Sequence, residues 1–195
     1  MDAWRSLGLE ADVRHCDDLT RTGLPEGEDD LVWNFVSLSQ QDHPPDMLRE
    51  MTRLSRRYVM FIGVNRFNPG FVSHRFVHRV FSVPWTHGRV EYMSLFKVRQ
   101  IFEDAGLRVA EAGVVVAPPY PDSLGIRDMR LHRKGVDLSE IAWRSRTVEW
   151  MQAGRVPTRL WLMYLVERMP LPLPVKLAYS HLFYVLAVRP GAVGG

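Results

Sequence analysis

The stretch DDLVWNFVSL, residues 29–38, opens on two carboxylates, runs through apolar residues and meets Asn34 in its middle. The run DLVWNFV reads as a β-strand because β-branched and aromatic residues dominate it and acids bound it. A polar amide inside a segment fit for burial asks for a reason. Further along, YVMFIGV (58–64) is an unbroken apolar run closed by Asn65, the pattern of a strand covered on both faces in a parallel sheet. Between the two, DHPPDMLREMTRLSRR reads as a helix. Asp42 is placed to cap it, Pro44 and Pro45 suit its first turn, and Met47, Leu48, Met51 and Leu54 share one face. Arg53, Arg56 and Arg57 would crowd its last turn. Strand, helix and strand in this order point to an α/β domain.

The same alternation continues outward. ADVRHCDDL (11–19) alternates weakly and is read as a strand. FVSHRFVHRVF (71–81) reads as a short helix and SLFKVRQIFEDAGL as a longer one. In the latter Ser94 would cap, Leu95, Val98, Ile101, Phe102 and Ala105 would face inward, and Gly106 would stop it. LRVAEAGVVVA (107–117) comes next as a strand ended by Pro118 and Pro119. DLSEIAWRSRTVEWMQAG reads as a helix with Asp137 and Glu140 spaced as a capping box. An apolar helix near 158–169 precedes the proline-broken PLPLPV, and HLFYVLAV closes the chain as a last strand.

Bulk composition narrows the function classes. With 195 residues, 46% of them hydrophobic, the chain supports one substantial core. Its 25 Lys and Arg against 22 Asp and Glu are spread throughout, which argues for a solvated surface rather than nucleic-acid binding. The single Cys16 leaves no intrachain disulfide framework and suits a reducing cytoplasm. MDAWRSLGLE (1–10) is mixed and charged, so no secretory leader is expected. The longest apolar run, LWLMYLV (160–166), is far shorter than the ~20 residues of a bilayer span.

Three expected strands end in polar residues: Asp17 and Asp18, Asn34, and Asn65. In open α/β sheets ligands sit outside the carboxyl ends of parallel strands. Asn34 therefore either marks where backbone meets a ligand or caps the adjoining loop, as Asn often does.

The order of VRHCDDL…LP, DLVWNFVSL, PDMLREMTRLSRRYVMFIGVN, LFKVRQIFEDAGLRV and HLFYVLAVRP resembles the later portion of a class I S-adenosylmethionine-dependent methyltransferase of the type 11 group. The resemblance implies a partial Rossmann-like sheet, parallel strands plus a C-terminal antiparallel strand, with flanking helices. It implies the cofactor S-adenosylmethionine, with Asp17 at the adenine amino group, Asp18 beside it, and Asn34 and Phe35 near the methionine portion. It places Trp85, His87 and Tyr92 in the region that covers the acceptor. The resemblance leaves the acceptor unidentified, with a small molecule or a lipid-like compound as the expected class. Residues 1–117 would then be the cofactor side, 118–180 a helical insertion on the substrate side, and 181–189 the terminal strand.

The sequence departs from that family in two places. The Leu-Glu-His tripeptide of many members reads Leu38, Ser39, Gln40 here. The Gly-rich loop after the family's first strand has no counterpart, since Gly8, Gly23 and Gly27 are scattered. The family's sheet order, 3-2-1-4-5-7-6, puts two strands between ADVRHCDDL and DLVWNFV. Their absence would leave a gap of roughly 14 Å. Either the first strand pairs directly with DLVWNFV, or it is loosely attached, or another polypeptide fills the gap. The expectation is a truncated methyltransferase, a homo-oligomer, one half of a split enzyme, or a non-catalytic interaction module.

His74, His78 and His87 have metal-like spacing, but no carboxylate or Cys pattern accompanies them. They are read as an ordinary polar helix face, with no metal expected. The segment RLWLMYLVERMPLPLPVKLAYSHLFYVL is read as a core helix feeding the last strand rather than as a membrane-surface helix.

Overall fold

Strand β1 (Asp29–Phe35) and strand β2 (Ser55–Val64) lie side by side and parallel, with Asn34 opposite Phe61 and Phe35 opposite Ile62. The computed structural model describes residues 7–10, 12, 14–115, 149–150, 152–155 and 157–191. Strand β3 (Arg108–Val115) and strand β4 (Leu182–Val188) complete a four-stranded sheet of order β1-β2-β4-β3. Strand β4 runs antiparallel to both neighbours, so β1, β2 and β3 are mutually parallel. This order is that of the last four strands, 4-5-7-6, in the sheet that the resemblance implies.

The connections follow from local chemistry. Helix α1 (Pro44–Leu54) returns from the carboxyl end of β1 to the start of β2 and buries Met47, Leu48, Met51 and Leu54 on one face. Its N-cap is His43, without a side-chain cap, so the expected Asp42 cap does not form; the Asp42 carbonyl instead accepts from Arg89 Nη1 at 2.8 Å. Strand β2 starts at Ser55, which moves Arg56 and Arg57 out of the helix and into the strand. Helix α2 (Pro69–Val80) is capped by Asn68, whose side chain accepts from Gly70 N. Helix α3 (Leu95–Asp104) buries Leu95, Val98, Ile101 and Phe102. Ser94 occupies its N-cap position but makes no side-chain cap bond, and Ala105 is exposed. Gly106, at φ +78, terminates the helix in a conformation that costs glycine little.

The core gathers these faces: Leu38, Leu48, Val59, Phe61, Val98, Phe102, Phe183 and Val185 are buried together. Phe61 and Phe183 meet edge to face at 5.9 Å. Strand β2 is covered less evenly than its composition suggests. Val59, Phe61 and Gly63 are buried, whereas Tyr58, Met60, Ile62 and Val64 are only half-buried. Helix α4 (Thr158–Arg168) and helix α5 (Leu173–Tyr179) precede β4. Helix α4 is not the core helix expected: Trp161, Leu162, Tyr164 and Leu165 are exposed. The helix expected over residues 137–154, with its Asp137–Glu140 capping box, lies outside the described residues over 137–148, as do Pro118 and Pro119. No helix among the described residues is long and apolar enough to cross a membrane.

The strand expected over 11–19 does not form among the described residues. Arg14, His15, Asp17 and Asp18 leave that segment no continuous apolar face whose burial would offset the cost of ordering it. The residues just beyond it are held against α1 instead. Glu50 Oε1 accepts from Thr22 N at 2.9 Å and Thr22 Oγ1 at 2.6 Å, while Arg53 donates to both Glu50 oxygens and to Leu24 O. Arg53, then Thr22, pull the Glu50 carboxyl down to about 2 against the opposing effect of its burial.

Since the folded pKa lies below the unfolded value of about 4.3, Glu50 contributes stability that is fully present above that value and is lost as pH falls toward about 2. Thermal melts of the wild type should therefore fall more steeply over this acid range than those of Glu50→Gln. The variant should also be less stable at neutral pH by about 1–3 kcal/mol. Parallel acid profiles would show that the clamp contributes nothing.

Candidate functional site

Because β1 and β2 are adjacent and parallel, their carboxyl ends put Asn34 and Asn65 on one rim of the sheet. Asn34 answers the question its sequence raises. Its Nδ2 donates to Ser37 Oγ at 2.6 Å, and its Oδ1 accepts from Leu38 N at 3.0 Å. The amide thus closes the 3-10 turn Ser37–Gln40, which takes the chain off the strand. Its burial is explained by the backbone and side-chain groups it satisfies.

The turn it closes is strained. Val36 has φ 67 and ψ −30, a conformation that costs a β-branched residue about 1–3 kcal/mol. Three hydrogen bonds hold it: Val36 N donates to Ile62 O at 2.8 Å, and Val36 O accepts from Ser39 N at 3.2 Å and Ser39 Oγ at 2.9 Å. Phe35, immediately before it, is 54% exposed.

Asn65 is equally committed. It is fully buried, and its Nδ2 donates to Leu177 O at 2.5 Å and to Ser180 O at 3.0 Å, while its Oδ1 accepts from Phe67 N. Asn68 Nδ2 adds a bond to Ser180 O at 2.8 Å. These amides fasten the start of α2 to the segment entering β4. Sequence reading noticed Asn65 only as a strand terminus, because its partners lie more than a hundred residues away.

The segment after α2 returns to the same rim. Arg89 N donates to Ser39 O at 2.7 Å, and Trp85 Nε1 donates to Gly88 O at 2.8 Å. Gly88, at φ +93, lies so close that a Cβ there would stand 2.6 Å from Ser39 O. His87 and Trp85 are thereby brought against α2, with Trp85 edge-on to His74, His78 and His87 at centroid distances of 5.6, 5.2 and 4.8 Å. His74 and His78 are not an exposed polar face. They are 3% and 6% exposed, because the 83–88 segment folds over the side of α2 that carries them. Tyr92 stands apart from this group in the hydrophobic core, with Arg89 over its ring.

Asp17 and Asp18 are not at a strand end. Asp18 Oδ1 accepts from Thr20 N at 2.8 Å and Thr20 Oγ1 at 2.6 Å, a local turn whose hydroxyl bond leads in lowering that carboxyl's pKa. Asp17 is 95% exposed in its side chain and faces His15 at 3.5 Å. A separate hollow of about 420 Å³ lies against β3 and α4, lined by Glu111, Glu167, Arg168, Lys176 and Tyr184 among others. Burial, then Glu111, raises the Tyr184 hydroxyl to about 12.

A SAM-dependent methyltransferase of Thermotoga maritima superposes on this chain with a TM-score of 0.51 at 13% identity, over 88% of this chain and 61% of that one. The four-stranded sheet and its flanking helices match part of the Rossmann-like class I methyltransferase fold. Looser similarity extends to a geranyl diphosphate methyltransferase (TM-score 0.46, 14% identity, 96% of this chain and 62% of that one). It extends also to a SAM-dependent methyltransferase of Archaeoglobus fulgidus (0.44, 12%, 89% and 66%). The chain spans less than two thirds of the length of each of these structures. No family model and no curated protein matches the sequence.

Replacing Asn34 by Ala removes the acceptor for Leu38 N and the donor to Ser37 in a buried turn. Urea denaturation should then show a loss of about 1–3 kcal/mol, and unchanged stability would mean the turn closes without the amide.

Proposed function

We propose that this chain is the later portion of an S-adenosylmethionine-dependent methyltransferase, and that its cofactor seat is completed when a further stretch of polypeptide pairs with the open edge of β1. The observation that carries this reading is the state of β1. Among the described residues it is an edge strand, and Leu31, Trp33 and Phe35, alternating along one face, are 43%, 52% and 54% exposed. An apolar strand with unpaired backbone groups is a template for another strand. In the sheet order of this fold the neighbour at that edge is the strand that leads into the Gly-rich loop.

The described residues alone make one wall of a nucleoside-sized cleft and not a seat. Asn34 spends its amide on Ser37 and Leu38, Asp18 spends Oδ1 on Thr20, and among the described residues no apolar walls sandwich a ring at Asp17. What the rim offers is the exposed ring of Phe35 and the Val36 turn beside it. We assign the methionine end of the cofactor to Asn34 and Phe35, through their backbone and the Phe35 ring. The adenine amino group falls to Asp17, with Asp18 shaping its loop. Trp85 and His87 form the acceptor side, and Tyr92 supports them from the core. The cofactor supplies an electrophilic methyl group, and the chain's part is to align and desolvate a small-molecule or lipid-like acceptor, which needs no dedicated base. Residues 1–117 then serve the cofactor side, 118–180 the acceptor cover and 181–189 the closing strand.

Calorimetry with S-adenosylmethionine tests the reading. The folded chain alone should bind with a Kd of about 1 mM or weaker. Co-expression with a polypeptide carrying a Gly-rich strand–loop, such as one encoded in frame upstream, should tighten binding at least about a hundredfold. Micromolar binding by the chain alone would contradict the incomplete seat. No binding once the added strand is shown to pair would retire the methyltransferase reading in favour of an interaction module.

A further inference from the structure

We propose that His74, His78 and His87 form a site for a divalent transition-metal ion, with zinc as the cation that three imidazoles suit best. The proposal concerns this trio alone and does not depend on binding of S-adenosylmethionine.

The spacing comes first. His74 and His78, four residues apart on α2, project from one face of the helix. His87 arrives from the segment that Gly88 presses against Ser39. The three side chains converge through their Nε2 atoms. His78 Nε2 lies 2.9 Å from His74 Nε2 and 3.2 Å from His87 Nε2, and one ligating atom from each of the three lies within 4.8 Å of the others. A tetrahedral zinc with Zn–N bonds of about 2.0–2.1 Å separates its nitrogens by about 3.3 Å. The His78 separations of 2.9 and 3.2 Å fall just short of that value, so the rings already stand at nearly the spacing of a tetrahedral edge and would part slightly to admit an ion.

The protonation pattern of His78 points the same way. Its Nδ1 lies 3.2 Å from Val83 O and 3.1 Å from Pro84 O. Carbonyl oxygens only accept, so Nδ1 carries the hydrogen and Nε2 presents a lone pair to the other two rings. An imidazole that donates one ring N–H to backbone carbonyls and directs the other nitrogen inward is the arrangement that orients metal-bound histidine. An ion at the centre would use all three lone pairs at once.

The surroundings suit a cation held by neutral ligands. Trp85 packs edge-on against all three rings, excluding water from one side. Arg75 and Arg79 are exposed, and the Arg75 guanidinium lies 5.6 Å from the Trp85 ring centroid, where the π face takes up part of its charge. Three neutral imidazoles leave the ion its full charge. Its fourth position would take water, or an oxygen or nitrogen donor of a small ligand.

The test is titration of the chelator-treated 195-residue chain with zinc chloride, and separately with cobalt chloride. One zinc per chain should bind with a Kd tighter than about 1 μM, and bound cobalt should show the intense visible absorption of a four-coordinate ion. His87→Gln, at a half-buried position, should fold as judged by circular dichroism and weaken zinc binding at least about a hundredfold. Cys16→Ser should bind as the wild type does. X-ray absorption of the zinc complex reads the imidazole shell without any variant, and should show three histidine ligands. Absence of stoichiometric zinc binding by the folded wild type would overturn the proposal. So would affinity that His87→Gln leaves within about twofold, or a zinc shell made of sulfur or carboxylate oxygen.

Discussion

Strand β2 is hydrogen-bonded on both flanks, to parallel β1 and to antiparallel β4, and the groups along the rim depend on where it ends. Its last residue, Val64, leads directly into Asn65, whose buried amide grips Leu177 and Ser180 in the segment entering β4. A polar side chain with so many partners loses little on burial, and removing it would strand several backbone groups at once. The bond from Asn65 N to His181 O continues the strand pairing by one residue, so the end of β2 and the entry to β4 are set together.

From that junction the rim is built by a short series of local devices. Asn68 caps α2 and also reaches Ser180, fixing where the helix starts and so where its histidine face points. Asn34 closes the turn after β1, and that turn presents Ser39 O to Arg89 N. Gly88 is the one residue type that tolerates both the positive φ and the close approach to Ser39. The polar residues at the strand ends thus shape the rim's backbone. Strain at Val36 fits this arrangement, since a sharp exit from β1 is needed for the next turn to reach the 83–89 segment.

Much of the architecture was legible in the sequence because period and composition record burial. The faces of α1 and α3, and all four strands, follow from apolar spacing, and their order from the resemblance. What was not legible depends on partners distant in the chain. ADVRHCDDL alternates like a strand, yet its charges give sheet pairing little to bury, and Thr22 and Leu24 just beyond it bind α1 instead. Ser94 and Asp42 have capping chemistry, but their side chains make no cap bond. The histidines looked like a solvated face because Arg75 and Arg79 alternate with them; only the folding back of residues 83–88 buries His74 and His78. The strand end at Asn34 and Phe35 lies where the sequence puts it, whereas the strand end expected at Asp17 does not form among the described residues.

The central claim is that, among the described residues, β1 is an edge strand with its outer side open. Native-state hydrogen exchange on the monomeric chain tests it directly. The account predicts slow exchange at Val59–Gly63 of β2 and Phe183–Ala187 of β4, with alternate amides of Leu31–Phe35 exchanging orders of magnitude faster because no strand among the described residues lies outside them. Uniform protection along β1, equal to that of β2, would mean that the edge is already paired and would contradict the claim.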